Sequence, residues 1–232
     1  MRHSATGKLR GPEIFRRCGG EEDDHYPLGW WLQPLVAKAA IRNADARGMR
    51  ATRLTLVCSG ITHRMRKAGF PLDEPLEKRS IELARLLAQH VPKANRVLVA
   101  PSLRAQQTAH LMGLCAAVHH SLRDQNYGVW EGKMPDEVEA VQPGSLAAWR
   151  ADPAYRPGGG EPLTEVATRT ARFLDSMRTA GGQLIAVTHP AVVRTAMIHI
   201  LAAPLTSYWR IDTPPLSLIS LYSDSTRWVL RT

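Results

Sequence analysis

The chain has 232 residues, which is enough for one domain with a sizeable hydrophobic core. Its hydrophobic content of 44% excludes a disordered protein, and no apolar run reaches the roughly 18 residues that a membrane-spanning helix needs. The formal charge of +9 is typical of nucleic-acid-binding proteins, but the arginines stand singly or in pairs and form no basic block. We therefore expect an anionic small molecule as the partner, and no binding to nucleic acid.

The first 49 residues differ in character from the rest. The apolar residues around Trp30–Trp31 are interrupted by Pro34, which breaks any helix there. We expect residues 1–49 to be a loosely ordered N-terminal extension, because chain termini are usually weakly held, and residues 50–232 to be the folded domain. A docking or membrane-surface element is the alternative for this extension, and Met49 is a second candidate for the start of translation.

The cysteines and the first residues of the chain indicate the cellular compartment of the protein. Cys18, Cys58 and Cys115 are an odd number at wide spacing, a pattern typical of a reducing compartment. No apolar signal-peptide core follows Met1. We therefore expect a cytoplasmic protein. The sequence carries no signal for an oligomeric state.

From residue 50 onward, apolar strand patterns alternate with helical patterns, and this alternation predicts an α/β domain. The predicted elements are strand Leu54–Cys58, helix Glu77–His90, strand Arg96–Ala100, helix Leu103–Gly113, helix Thr164–Met177, strand Gln183–Val187, helix Val192–Leu201, and strands Leu216–Tyr222 and Trp228–Leu230. The predicted buried faces are Ile81, Leu83, Leu86 and Leu87 in the first helix, and Val166, Thr170, Phe173, Leu174 and Met177 in the third. We also expect a strand around His119–His120.

A strand followed by a turn and a helix recurs at Cys58, Pro101 and His189. These residues are thus predicted to lie at carboxyl ends of strands. In open α/β sheets, that edge is where ligands bind.

Four segments around these turns follow one another in a recognisable order. They are Arg53–Thr62 (RLTLVCSGIT), Ala100–Ala109 (APSLRAQQTA), Leu122–Gly132 (LRDQNYGVWEG) and Ala186–Pro190 (AVTHP). Together with the turn Gly158–Leu163 (GGGEPL), they resemble the histidine phosphatase superfamily, whose fold is phosphoglycerate-mutase-like. The resemblance covers residues 52–230. It implies a three-layer α/β/α fold with a mostly parallel central sheet, phosphatase activity on phosphomonoesters, and no metal or other cofactor.

The resemblance also implies roles for individual residues. Arg104 matches the family's phosphate-binding arginine, His189 its second active-site histidine, and Asp124 its acid/base glutamate. Cys58 and Ser59 stand where the family carries a second phosphate-binding arginine and the nucleophilic histidine.

The chemistry of phosphate binding gives each residue a physical task. Arg104 would bind the phosphate with a planar pair of donors, and a helix after Ser59 would direct backbone N–H groups, including that of Gly60, at the same oxygens. His189, when protonated, would add positive charge beside the developing negative oxygens. Asp124 would protonate the leaving alcohol.

The residues at 58 and 59 make the usual covalent chemistry impossible, because Ser59 cannot form a phosphohistidine. We therefore expect a pocket that binds phosphorylated small molecules through Cys58, Ser59, Gly60, Arg104 and His189 and is inactive or weakly active as a phosphatase. The alternative is an active phosphomonoesterase in which Ser59 attacks with His189 or Asp124 as base. A second version uses Cys58, separated from Arg64 by five residues, as a thiolate whose pKa is lowered by a helix N-terminus.

Overall fold

The computed structural model describes residues 51–231, so the predicted extension at residues 1–49 lies outside the described residues. The strands are β1 (Thr52–Cys58), β2 (Arg96–Val99), β3 (Ala117–Val118), β4 (Gly182–Thr188), β5 (Leu218–Ser223) and β6 (Trp228–Arg231). The α-helices are α1 (His63–Arg66), α2 (Lys78–Leu87), α3 (Leu103–Leu111), α4 (Pro135–Val141), α5 (Ser145–Ala151), α6 (Leu163–Met177) and α7 (Pro190–Ile200). Short 3₁₀ turns occur at Ala88–His90, His120–Leu122, Gly128–Trp130, Pro157–Gly159 and Leu205–Arg210.

The six strands form one mixed sheet in the order β3-β2-β4-β1-β5-β6. The first four are parallel, whereas β5 pairs antiparallel with β1, and β6 with β5. The connections from β1 to β2 and from β2 to β3 run one way along the sheet, and the connection from β3 to β4 runs back. Because such crossovers are right-handed, α2 and α3 cover one face and α6, with α7 packed on it, covers the other. The predicted three-layer α/β/α fold with a mostly parallel sheet is confirmed.

Helix α6 packs through the face that its sequence predicts. The residues of that stripe, from Val166 to Met177, are all buried. Helix α2 follows its predicted face in part. Leu83 and Leu87 pack partly buried against the core, whereas Leu86 is 47% exposed, and the fully buried positions are Ser80 and Ala84. The chain at Gly60 passes so close that a Cβ there would lie 3.0 Å from the Cβ of Ser80. The small side chain of Ser80 therefore allows this close approach of α2 to the loop after β1.

The strand predicted at His119–His120 is displaced. The pairing with β2 ends at Val118, and the chain turns through His120–Leu122. This turn leads directly to Asp124 at the carboxyl edge of the sheet. No helix within residues 51–231 has both the length and the apolar character to cross a membrane.

Candidate functional site

Three neighbouring strand ends bring Ser59, Ser102 and His189 into contact. His189 follows β4, and its Nδ1 lies 3.3 Å from Ser59 Oγ, which follows β1. Its Nε2 lies 3.0 Å from Ser102 Oγ, which follows β2. The strand ends bring Ser59 and His189 to the same edge of the sheet, and the contact between them is a finding of the tertiary structure. Ser102 was not singled out, although a serine between a strand and a helix is a helix-capping signal.

His189 is completely buried, and this determines its charge. Burial lowers the pKa of the imidazole to about 3; the nearby Asp124 carboxylate opposes this change, whereas the Arg104 and Arg169 charges add to it. At neutral pH the ring is uncharged, so one nitrogen donates a hydrogen bond and the other accepts one. The positive charge that His189 would add when protonated is therefore absent in this structure.

Arg104 is the buried cation of the site. It is only 2% exposed, and its Nη2 donates to Oδ2 of Asp124. Its Nε has no acceptor among the described residues, and the other oxygen of Asp124 accepts the N–H of Gln125 at 2.9 Å. A buried polar group without a partner costs free energy. A ligand atom that accepts a hydrogen bond from this N–H would remove that cost.

A cavity of about 170 Å³ opens at this ion pair. Its lining consists of Pro71, Leu72, Asp73, Ser102, Arg104, Asp124, Gln125, Asn126 and Glu131. Ser59 and His189 do not line it and lie behind its wall, 2% and 0% exposed. A larger cleft of about 480 Å³, between Gln142–Ser145 and Tyr155–Gly159, contains none of the predicted site residues. Of the predicted site residues, Arg104 and Asp124 thus line the smaller cavity.

The loop after β1 is built differently from the expectation. The N–H of Gly60 donates to Thr108 Oγ1 at 3.0 Å, and α1 begins only at His63 and has a single turn. The Gly60 N–H is therefore engaged within the protein, so its predicted role as a phosphate donor is wrong for this structure. Glycine fits there without displacing its neighbours, because an added Cβ would lie 3.0 Å from the Cβ of Ser80.

Cys58 is also enclosed within the protein. Its thiol is fully buried and lies 3.9 Å from the carbonyl oxygen of Thr213, outside the cavity lining. Burial, followed by the Asp124 charge, raises its pKa to about 12, and the opposing charges of Arg104 and Arg194 do not compensate. The expected low pKa at a helix N-terminus is therefore wrong, and the thiol does not bind the cavity's occupant in this conformation.

Arg169 and Glu161 position the loop that carries Asp124. From α6, Arg169 donates to the carbonyl oxygens of Ser121 and Asp124, at 2.8 and 3.0 Å. It also pairs with both oxygens of Glu161, which accepts from Arg123 as well. Sequence reasoning missed Arg169, because its contacts reach 45 and 48 residues back along the chain. No group of three or more metal-ligating side chains occurs within residues 51–231.

Comparisons with known proteins concern the family and the fold of the chain. Residues 54–232 match the model of the histidine phosphatase superfamily (branch 1). The chain is 28% identical over 180 residues to the glucosyl-3-phosphoglycerate phosphatase of Mycobacterium tuberculosis (strain CDC 1551 / Oshkosh), covering 69% of this chain and 80% of that protein. It is 24% identical over 168 residues to phosphoserine phosphatase 1 of Hydrogenobacter thermophilus, covering 68% and 80%.

A solved structure shows the same fold. It is that of a mycobacterial glucosyl-3-phosphoglycerate phosphatase in complex with VO3, with a TM-score of 0.69 at 23% identity. The similarity covers 77% of this chain and 96% of that one.

Proposed function

Since this chain belongs to the histidine phosphatase superfamily (branch 1), we propose that it binds phosphorylated small molecules and hydrolyses them slowly or not at all. In this proposal Cys58 and Ser59 occupy the positions of the family's phosphate-binding arginine and nucleophilic histidine. The relatives are named as phosphatases of glucosyl-3-phosphoglycerate and of phosphoserine, which supports a small phosphomonoester as the ligand.

The state of Arg104 carries the binding part of the proposal. Its guanidinium is buried at the wall of the 170 Å³ cavity and has an unpaired Nε–H. Phosphate oxygens would accept from Nε and a terminal nitrogen in the planar, two-pronged geometry that arginine offers. Asp124 lines the same cavity, so it is the residue that would protonate a leaving alcohol in any residual turnover.

The pair of Ser59 and His189 supports weak chemistry. His189 can accept the Ser59 proton across 3.3 Å, but an imidazole with a pKa of about 3 is a poor base at neutral pH. Ser59 also lies behind the cavity wall. Loss of a covalent nucleophile reduces turnover by about 10^4- to 10^6-fold in other hydrolases. We therefore expect binding without efficient hydrolysis.

An active phosphomonoesterase that uses Ser59 is the second candidate, and the same 3.3 Å contact favours it. A nucleophile within reach of a base is the geometric signature of such catalysis. It requires that the ligand open a path to Ser59 and raise the pKa of His189. The thiolate version does not share this support, because the Cys58 pKa of about 12 leaves the thiol protonated.

Hydrolysis of p-nitrophenyl phosphate and calorimetric binding of inorganic phosphate test the proposal together. We expect no turnover by the wild-type chain above that of Ser59→Ala, and a gain in Ser59→His. Inorganic phosphate should bind the wild type and Ser59→Ala alike. Arg104→Gln should weaken phosphate binding by about 10- to 100-fold, since hydrogen bonds to charged groups contribute about 1.5–3 kcal/mol.

Arg172→Gln is the matched control, because Arg172 is exposed on α6 and its replacement removes the same charge. Its phosphate affinity should equal that of the wild type. Wild-type turnover that disappears in Ser59→Ala would establish the serine-dependent enzyme instead. A wild-type chain that binds no phosphate would refute both candidates.

A further inference from the structure

Gln125 is a buried side chain whose amide oxygen has no partner among the described residues. It is 3% exposed, and its Nε2 donates to the carbonyl oxygen of Glu161 at 2.8 Å. This hydrogen bond fixes the orientation of the amide, because the opposite orientation would place two acceptor oxygens against each other. Oε1 accepts no hydrogen bond from the described residues. Buried acceptors are normally satisfied, so a donor on a ligand would complete this group.

Gln125 lines the 170 Å³ cavity together with Arg104. The cavity therefore has an unpartnered donor, the Nε–H of Arg104, and an unpartnered acceptor, Oε1 of Gln125. A phosphate oxygen can accept from the donor, but a phosphate dianion has no proton to give to the acceptor. Because both groups line one small cavity, the ligand that satisfies both is a phosphate ester with a hydrogen-bond donor on its alcohol part.

The charges around the cavity favour one kind of donor. Among the described residues that line it, Asp73, Asp124 and Glu131 are carboxylates, and Arg104 is the one cation. Arg104 already pairs with Asp124, and neither Asp73 nor Glu131 forms an ion pair within residues 51–231. The lining thus carries an excess of negative charge, which attracts a cationic group on the ligand and repels a second anionic one.

We propose that the ligand is the phosphomonoester of an amino alcohol, whose ammonium group donates to Oε1 of Gln125 and is attracted by the carboxylates of Asp73 and Glu131. This inference rests on the proposed function, because it assumes that the phosphate group binds Arg104. A primary ammonium keeps its proton at neutral pH, as lysine does. Its positive charge offsets the carboxylates that a phosphate dianion meets in this cavity. Gln125 is in this way a specificity-determining residue.

A hydroxyl group is the competing donor. It could satisfy Oε1 of Gln125, but it carries no charge that Asp73 and Glu131 would attract. The phosphate of a sugar or another polyol is therefore the alternative class of ligand. Since the two classes differ in the charge of one group, ligands matched in size separate them.

Calorimetric titration of the wild-type chain with three esters makes this comparison. Phosphoethanolamine, 2-hydroxyethyl phosphate and ethyl phosphate share a two-carbon chain that ends in an ammonium, a hydroxyl or a hydrogen. We expect phosphoethanolamine to bind about 10- to 100-fold more tightly than ethyl phosphate, as for other hydrogen bonds to charged groups, and 2-hydroxyethyl phosphate to lie between them. Binding of 2-hydroxyethyl phosphate as tight as that of phosphoethanolamine would overturn the inference.

Inorganic phosphate separates this inference from the proposed function. If the wild type binds inorganic phosphate but does not prefer phosphoethanolamine over ethyl phosphate, the proposed function stands and this inference fails. If the wild type does not bind inorganic phosphate, both fail.

The variant Gln125→Leu removes the acceptor. The preference, measured as the Kd of ethyl phosphate divided by that of phosphoethanolamine, should fall about 10-fold, because a site built to pair with a donor discriminates only while its acceptor is present. A purely structural role of Gln125, through its bond to Glu161, would weaken both ligands alike. An unchanged preference in a folded Gln125→Leu chain would therefore contradict the inference.

The variant Glu131→Gln tests the charge without altering Gln125. Glu131 accepts the N–H of Tyr127 at 3.3 Å, and glutamine keeps an oxygen for this contact while losing the charge. The preference for phosphoethanolamine should fall several-fold. Glu82→Gln is the matched control, because Glu82 is exposed on α2 and does not line the cavity, and its preference should equal that of the wild type. A wild-type preference in Glu131→Gln would refute the inference even if Gln125→Leu fails to fold.

Discussion

His189 shows how burial, at the scale of a single residue, determines chemistry. The sequence places a histidine after a strand, a position where it could be charged or neutral. Its enclosure by Ser59 and Ser102 leaves no water to stabilise an imidazolium, so the pKa falls from 6.5 to about 3. Cys58 experiences the same loss of solvation in the opposite direction, because for a thiol the charged form is the deprotonated one.

The lowered pKa of His189 makes the protein sensitive to acid. The unfolded chain binds a proton at this group below about pH 6.5, whereas the folded protein binds it only near pH 3, so stability falls as the pH decreases through this window. From about pH 7 to about pH 5, this group should lower the free energy of unfolding by about 2 kcal/mol. Urea unfolding of the wild type and of His189→Gln at both pH values measures the difference.

Comparing the wild type with His189→Gln separates the effect of His189 titration on stability from that of the other titrating groups. His189→Gln keeps a polar side chain but cannot titrate, so its loss of stability over the same range should be smaller by that amount. An equal loss in both proteins would show that His189 is not held neutral.

At the scale of elements, two turns pack on each other in the part of the chain that follows Asp124. The backbone of the turn at Pro157–Gly159 packs against the turn at Gly128–Trp130, in the loop that follows Asp124. At Gly158, φ is +57° and an added Cβ would lie 2.3 Å from the carbonyl oxygen of Tyr127. Glycine is required there both for its backbone conformation and for the close approach.

Gly158→Ala should therefore destabilise the protein by roughly 3 kcal/mol or more, since steric overlap adds to the cost of a left-handed alanine. Gly159→Ala is the matched control: φ is also positive, at +78°, but no atom lies within 4 Å of the added Cβ. Gly159→Ala should destabilise the protein by roughly 1–2 kcal/mol, because only the left-handed backbone conformation is unfavourable for alanine there. Chemical denaturation compares the two variants, and equal losses would show that the close approach does not matter.

At the scale of the whole molecule, the strands of the sheet all come from one continuous part of the chain. All six strands lie within residues 52–231, and β1, at the centre, pairs with β4 and β5 along its length. The family model matches residues 54–232. We therefore propose that residues 50–232 form the folding unit.

A chain of residues 50–232 should unfold in one transition within about 4 °C of the full-length chain, a difference of about 1 kcal/mol for a domain of this size. Its affinity for inorganic phosphate should be unchanged. Thermal unfolding monitored by circular dichroism, with calorimetric binding, checks both. Failure of the shorter chain to fold would place part of the folding unit before residue 50.

Local patterns in the sequence determine the fold and part of the site. The family resemblance implies the mostly parallel sheet and the site roles of Arg104 and Asp124. Alternating strands and helices, a buried stripe on α6, and three strand-to-helix turns suffice to predict an α/β domain with Cys58, Pro101 and His189 at one edge of its sheet. These features depend on periodicity and turn chemistry, which act over a few residues.

The tertiary structure decides which groups are charged, paired or exposed. The neutral state of His189, the buried thiol of Cys58, and the engagement of Gly60 by Thr108 follow from contacts between residues 48 to 155 positions apart. The same holds for the Arg169 contacts that position Asp124. Solvation and hydrogen bonding depend on neighbours in space, and a single sequence does not reveal which distant residues those neighbours are.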